Sequence, residues 1–294
     1  MLPEQPLYSQ WESDQWKALH TWMKQHITNC RLCPRNCGAN RLASQGACGQ
    51  TDMPRLSNAV VHTGEEPPLI EGTGAGAVFF SGCSMHCVYC QNFGFSQKNI
   101  GRTMRVHELT DTFLRLQEQG VSNLDLVTPT PHLPGIVEAI QIGKERGLRL
   151  PIVYNTSSYE SVETLNQLDG LVDLYLADIR YTRDEIGHRY SGVRDYWSVA
   201  QKALQEMYRQ VGAKRMIVRM LVLPTFEPMI RDGLEFLALN LSTSVFISLM
   251  AQYFPVYKAL GDSRIGRKLT AIEYDQAQQY LEEMGFSNGW VQEY

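Results

Sequence analysis

Cys30, Cys33, Cys37, Cys48, Cys83, Cys87 and Cys90 are all the cysteines of this 294-residue chain, and the 204 residues after Cys90 hold none. Cysteines serving only as small buried hydrophobes would be scattered through a core. An odd number also does not close a simple disulfide framework. They fall into two groups with ligand-like spacing. Cys83, Cys87 and Cys90 form C-x3-C-x2-C within Phe79-Phe80-Ser81-Gly82-Cys83-Ser84-Met85-His86-Cys87-Val88-Tyr89-Cys90. Three thiolates within eight residues can wrap three corners of a cubane cluster. The fourth iron is then open to substrate, as a catalytic zinc keeps a place for water. A zinc site completed by His86 is the weaker reading, since only one of the two gaps has C-x2-C spacing. Cys30, Cys33, Cys37 and Cys48 have C-x2-C-x3-C-x10-C spacing. Four thiolates would fill a tetrahedral zinc site or all corners of an auxiliary [4Fe–4S] cluster, and the spacing leaves both open.

These residues need elements to hold them. Residues 1–50 read as a helical lead-in followed by a four-cysteine metal-binding segment. The segment has no hydrophobic period, so metal would have to order it. Residues 51–75 read as a Pro/Gly-rich connection. Residues 76–294 form the main α/β domain, ending in a helix around Ile272, Ala277, Tyr280 and Leu281. Continuous apolar runs predict strands at Ala77–Ser81, Leu124–Thr128, Ile152–Asn155, Val172–Asp178, Met216–Leu223 and Val245–Met250, buried on both faces of a parallel sheet. Amphipathic stretches lie between them, among them Val106, Leu109, Phe113 and Leu116. Six strands alternating with helices imply right-handed βαβ units, either closing into a partial barrel or lying as an open sheet.

The composition is ordinary for a globular chain, with 44% hydrophobic and 20% charged residues. A formal charge of −4 gives no basic footprint for nucleic acid. The first residues lack a signal-peptide core, and no apolar run reaches the ~20 residues of a membrane span. A cytoplasmic location, where thiols stay reduced, is expected. Gly72-Thr73-Gly74-Ala75-Gly76 precedes a strand and lacks a phosphate-loop lysine, so it reads as a flexible approach to the first strand.

The segment around Cys83, Cys87 and Cys90 resembles the signature of the radical S-adenosylmethionine (SAM) superfamily. That resemblance implies a partial (β/α)6 barrel and a [4Fe–4S] cluster whose open iron binds SAM. It also implies reductive cleavage to a 5′-deoxyadenosyl radical for hydrogen abstraction, under anaerobic conditions and with an electron donor such as flavodoxin or ferredoxin. Cys30-Arg31-Leu32-Cys33-Pro34-Arg35-Asn36-Cys37-Gly38, His62-Thr63-Gly64-Glu65-Glu66-Pro67-Pro68 and Leu221-Val222-Leu223-Pro224 are similar to a subgroup of pyruvate formate-lyase-activating-enzyme-like proteins. A protein or peptide substrate, such as a glycyl-radical partner, is what that resemblance implies. A small-molecule substrate is the alternative, and a non-enzymatic iron–sulfur carrier or metal-stabilised interaction module is the alternative of another class.

The resemblance places Tyr89 near the adenine of SAM. The Gly-Gly-Glu segment of activating enzymes is missing after the second predicted strand, where Thr128 and Thr130 stand instead as candidate SAM contacts. Asn155 ends the third strand, at the end where a barrel carries its site. Asp178-Ile179-Arg180 looks like the Asp-Leu-Lys element of activating enzymes, with Arg180 as a candidate partner of the SAM carboxylate; an ordinary salt bridge is the competing reading. Arg219 interrupts an apolar strand and needs a partner if buried.

Overall fold

The apolar runs become strands where each is covered on both faces. The computed structural model describes all 294 residues, which divide into two compact units. The first comprises Met1–Ser84, Gly94–Thr156 and Glu160–Tyr175, and the second Met85–Phe93, Ser157–Tyr159 and Leu176–Tyr294.

In the first unit, α1 (Ser13–Thr28) precedes β1 (Arg55–His62) and β2 (Ala75–Phe80). A short α2 (Phe93–Ser96) follows the three-cysteine loop, then β3 (Arg102–Thr103), α3 (Val106–Glu118), β4 (Leu124–Val127), α4 (Leu133–Glu145), β5 (Ile152–Thr156) and α5 (Val162–Gln167). β1 pairs antiparallel with both β2 and β3, whereas β2, β4 and β5 run parallel. Val78, Leu126 and Tyr154 lie in register across the three parallel strands and are at most 1% exposed. α3 turns Leu109, Phe113 and Leu116 inward and packs on α4. Each such side chain contributes about 1.5–3 kcal/mol by leaving water. α1 docks on α4 in turn, with His20 Nε2 2.6 Å from Gln141 Oε1.

β6 (Leu174–Asp178) runs from the first unit into the second. The second unit continues with α6 (Asp184–Ser191), α7 (Tyr196–Val211), β7 (Met216–Leu221), α8 (Glu227–Asn240), β8 (Phe246–Met250), α9 (Ala271–Glu283) and β9 (Gly289–Val291). β7, β8 and β9 are parallel. The strand order is β3-β1-β2-β4-β5-β6-β7-β8-β9. All six expected strands are present, as β2 and β4 to β8, in a mostly parallel α/β arrangement. The segment 51–75, expected as a connection, contains the eight-residue β1. Its residues are mostly half-buried and carry Arg55, Ser57, Asn58 and His62, so it lacks an apolar run. No helix is long and apolar enough to cross a membrane.

Candidate active site

The loop bearing the three cysteines begins where β2 ends. Buried His132, stacked on Phe80 with ring centroids 5.2 Å apart, places Nε2 2.7 Å from the Ser81 carbonyl. Its Nδ1 accepts the Arg55 amide at 3.4 Å. These partners fix the neutral tautomer with the proton on Nε2. Burial pushes the imidazole down to about 3, which keeps it uncharged. Ser81 Oγ donates to the Ile100 carbonyl at 2.8 Å. Gly82 then turns the chain with φ 79°, a left-handed conformation that favours glycine. Half-buried Cys83 follows.

Cys87 and Cys90 lie in the second unit. Cys87 is buried, and its sulfur accepts from Ser191 Oγ at 2.9 Å and faces Arg180 Nη1 at 3.7 Å. The Val88 amide donates to the Tyr190 carbonyl and the His86 amide to that of Ser191, tying the loop to α6. The Lys258 and Ala259 amides grip the Val88 carbonyl from another side.

Tyr89, Asp178, Arg180 and Arg219 line a cavity of about 120 Å³ in this unit, with Leu221, Leu223 and Met250 as its apolar wall. Arg180 Nη2 donates to Asp178 at 2.6 Å, and its backbone amide donates to Tyr196 Oη at 2.9 Å. Burial opposes its charge, but Asp178 and Cys87 hold the guanidinium well above its ordinary range. Arg180 therefore joins Asp178 in the cavity to the Cys87 sulfur. Burial and the neighbouring Cys87 push the Tyr89 phenol up. Tyr89 stands edge-on to Tyr181 and Tyr253, at 6.3 and 6.1 Å between ring centroids. The Tyr89 hydroxyl and Arg180 Nε are buried without a well-formed hydrogen bond. With one carboxylate and two guanidiniums, the cavity has a net positive lining suited to a carboxylate-bearing ligand.

The other candidate residues lie in the first unit. Thr128, in the left-handed region at φ 59°, donates its amide to the Asn155 carbonyl at 2.9 Å. Asn155 Nδ2 donates to Asp125 at 3.2 Å. Thr130 donates to Glu160 at 2.6 Å and lies 2.9 Å from Tyr154 Oη, so its hydroxyl is committed within the unit. Glu160 also accepts from Thr156 at 2.6 Å, and burial pushes its carboxyl up to about 7. Sequence reasoning missed Ser191, His132 and Glu160; none belongs to a spaced motif, and Ser191 lies 104 residues from the cysteine it serves.

The four-cysteine segment belongs to the first unit. Cys30 is buried, Cys33 and Cys48 are half-buried and Cys37 is exposed. No group of three or more His, Cys, Asp or Glu side chains stands at metal-ligating spacing in either unit.

The Radical SAM superfamily model matches residues 77–237, more than half of the chain, so the chain belongs to the radical SAM superfamily. An uncharacterized protein of Methanocaldococcus jannaschii is 29% identical over 269 residues, covering 88% of this chain and 76% of that protein. Among solved structures, Streptococcus suis SuiB matches with a TM-score of 0.53 and 13% identity, over 72% of this chain and 47% of that one. Native anSMEcpe with bound AdoMet matches with a TM-score of 0.51 and 13% identity, over 69% of this chain and 57% of that one. The chain thus spans about half the length of the solved structures it matches, and they bear on the fold alone. That fold is the α/β partial barrel of the family.

The family implies a [4Fe–4S] cluster and SAM, and the residues present fit them. Cys83, Cys87 and Cys90 would supply the three thiols, and the Cys87 sulfur accepts from Ser191 and faces Arg180. The cavity contributes buried polar atoms on Tyr89 and Arg180 that lack well-formed partners.

Proposed function

We propose that this chain is a radical SAM enzyme that abstracts hydrogen from a protein or peptide, in the manner of a glycyl-radical activating enzyme. The observation that carries the chemistry is Arg180, which spans from the Cys87 sulfur to Asp178 in a cavity also lined by Tyr89 and Arg219. Cys83, Cys87 and Cys90 would hold the cluster. The chemistry a bound cluster supplies is one-electron reduction of SAM to methionine and a 5′-deoxyadenosyl radical.

The chain's own residues bind and orient. Arg180 and Arg219 offer cationic donors to the SAM carboxylate, while Asp178 offsets their charge and fixes Arg180. Tyr89 presents an aromatic wall for adenine, and Leu221, Leu223 and Met250 keep that part of the cavity apolar. Ser191 and Arg180 present donors to the Cys87 sulfur. A flavodoxin or ferredoxin is the proposed electron donor. The protein or peptide substrate rests on the activating-enzyme-like motifs. The absence of a Gly-Gly-Glu segment and the four additional cysteines separate this chain from the activating enzymes those motifs resemble.

Anaerobic incubation of reconstituted protein with SAM and dithionite should release 5′-deoxyadenosine, and Cys87→Ala should abolish it. A fully loaded protein that releases none would overturn the enzymatic reading. Labelled glycyl-radical partners followed by EPR separate a protein substrate from a small molecule.

A further inference from the structure

The four-cysteine segment is built from matching knuckles. In Cys37-Gly38-Ala39 and Cys48-Gly49-Gln50, each cysteine is followed by a glycine in the left-handed region, at φ 64° and 76°. The Cys30 amide donates to the Ala39 carbonyl and the Gly38 amide to the Cys30 carbonyl, both at 3.0 Å, which sets Cys30 beside Cys37. A Cβ built on Gly46 would lie 3.5 Å from Cys48 Sγ, 3.6 Å from Cys37 Sγ and 3.9 Å from Arg41 Cδ. Two thiols and the Arg41 stem therefore converge on one place.

Arg41 is an independent observation pointing to the same site. It is 1% exposed, and its Nη2 donates to the Thr51 and Pro131 carbonyls. Its Nε and Nη1 are buried without a partner, and no carboxylate pairs with it. A buried cation without a counter-charge is strongly unfavourable. Four thiolates around a divalent metal carry a net charge of about −2 and would supply that counter-charge.

We propose that Cys30, Cys33, Cys37 and Cys48 hold one Zn²⁺ as a tetrahedral thiolate site whose net negative charge is the partner of the buried Arg41 guanidinium. Binding draws the sulfurs to about 3.8 Å from one another, the edge of a tetrahedron with ~2.3 Å Zn–S bonds. The site also braces the catalytic loop. A Cβ on Gly82 would lie 2.6 Å from the Cys48 carbonyl oxygen, and Arg35 Nε donates to the Ser84 carbonyl at 2.7 Å. The knuckles thus abut the backbone on both sides of Cys83.

The test uses the full chain with Cys83, Cys87 and Cys90 all replaced by serine, so it does not depend on SAM cleavage. Metal and sulfide analysis should find one zinc per chain and no acid-labile sulfide. Cobalt exchanged into the site should show thiolate charge-transfer and tetrahedral d–d bands. Iron with sulfide, or no metal at all, overturns the proposal. Should the triple variant fail to fold, zinc K-edge EXAFS on the wild-type holoprotein decides: four sulfurs at ~2.3 Å support the site, and nitrogen or oxygen ligation overturns it. Arg41→Met should weaken zinc retention against a chromophoric chelator by about tenfold or more, with Arg41→Lys recovering part of the loss. Equal retention in all three proteins overturns the role of Arg41.

Discussion

The two cysteine-bearing regions differ in where their sulfurs find partners. Cys37 and Cys48 stand on turns of their own segment, each followed by a left-handed glycine and with Gly46 packed against both sulfurs. Cys87 instead meets Ser191 and Arg180, which lie 104 and 93 residues away. The first arrangement is local and self-contained; the second exists only once β6 and α6 are in place. A metal-binding knuckle needs little more than its own turn geometry. A site that also receives a ligand must borrow charge and shape from several strand ends. The two regions meet at Gly82 and Ser84, where the local one supports the backbone of the other.

The largest test of that dependence lies at His132, which anchors the end of β2 from the tertiary side. Its imidazole is neutral in the native state, pushed down to about 3 by burial, against about 6.5 when unfolded. Above pH ~6.5 both states are neutral and its contribution is fully present. Below that pH the unfolded chain takes up a proton the native state excludes. Stability should therefore fall as pH drops from about 6.5 toward 3, by up to about 4 kcal/mol. Urea unfolding across this range should show the slope, and His132→Gln should flatten it. A variant that keeps the wild-type slope would place its origin elsewhere.

A smaller effect is expected at the junction itself. Gly82→Ala puts a Cβ 2.4 Å from Gln50 Nε2 and 2.6 Å from the Cys48 carbonyl oxygen, at a positive φ. A loss of about 3 kcal/mol should follow, with reduced iron loading at Cys83, Cys87 and Cys90. Unchanged unfolding with full iron would sever the proposed link between the regions. Arg35→Ala removes one hydrogen bond to the Ser84 carbonyl and should cost about 1 kcal/mol. Iron incorporation should slow while zinc is retained, and parallel loss of both metals would show that Arg35 serves the knuckle rather than the junction.

The parallel array was legible because β2 and β4 to β8 are buried on both faces and so write themselves as apolar runs. β1 was not, because its RLSNAVVH sequence is mostly half-buried and alternates poorly. β9 is three residues long, too short to carry a period. Cysteine spacing exposed the metal-binding candidates, and the Asp178-Ile179-Arg180 element marked two side chains that the structure does bring to one cavity. Arg41 gave no sign, since an arginine among polar neighbours reads as a surface residue until the fold buries it. Thr130 stood at the expected strand end, but only tertiary structure could show its hydroxyl directed to Glu160.

The central claim, proposed above, is that Cys83, Cys87 and Cys90 would hold a cluster with one iron open to SAM. The most direct measurement is EPR of the dithionite-reduced protein before and after SAM is added, with isotopically labelled SAM to detect hyperfine coupling. The account predicts a changed spectrum and coupling from the SAM amino and carboxylate groups. A fully loaded cluster whose spectrum is the same with and without SAM would contradict it, and would identify a coordinatively saturated electron carrier instead.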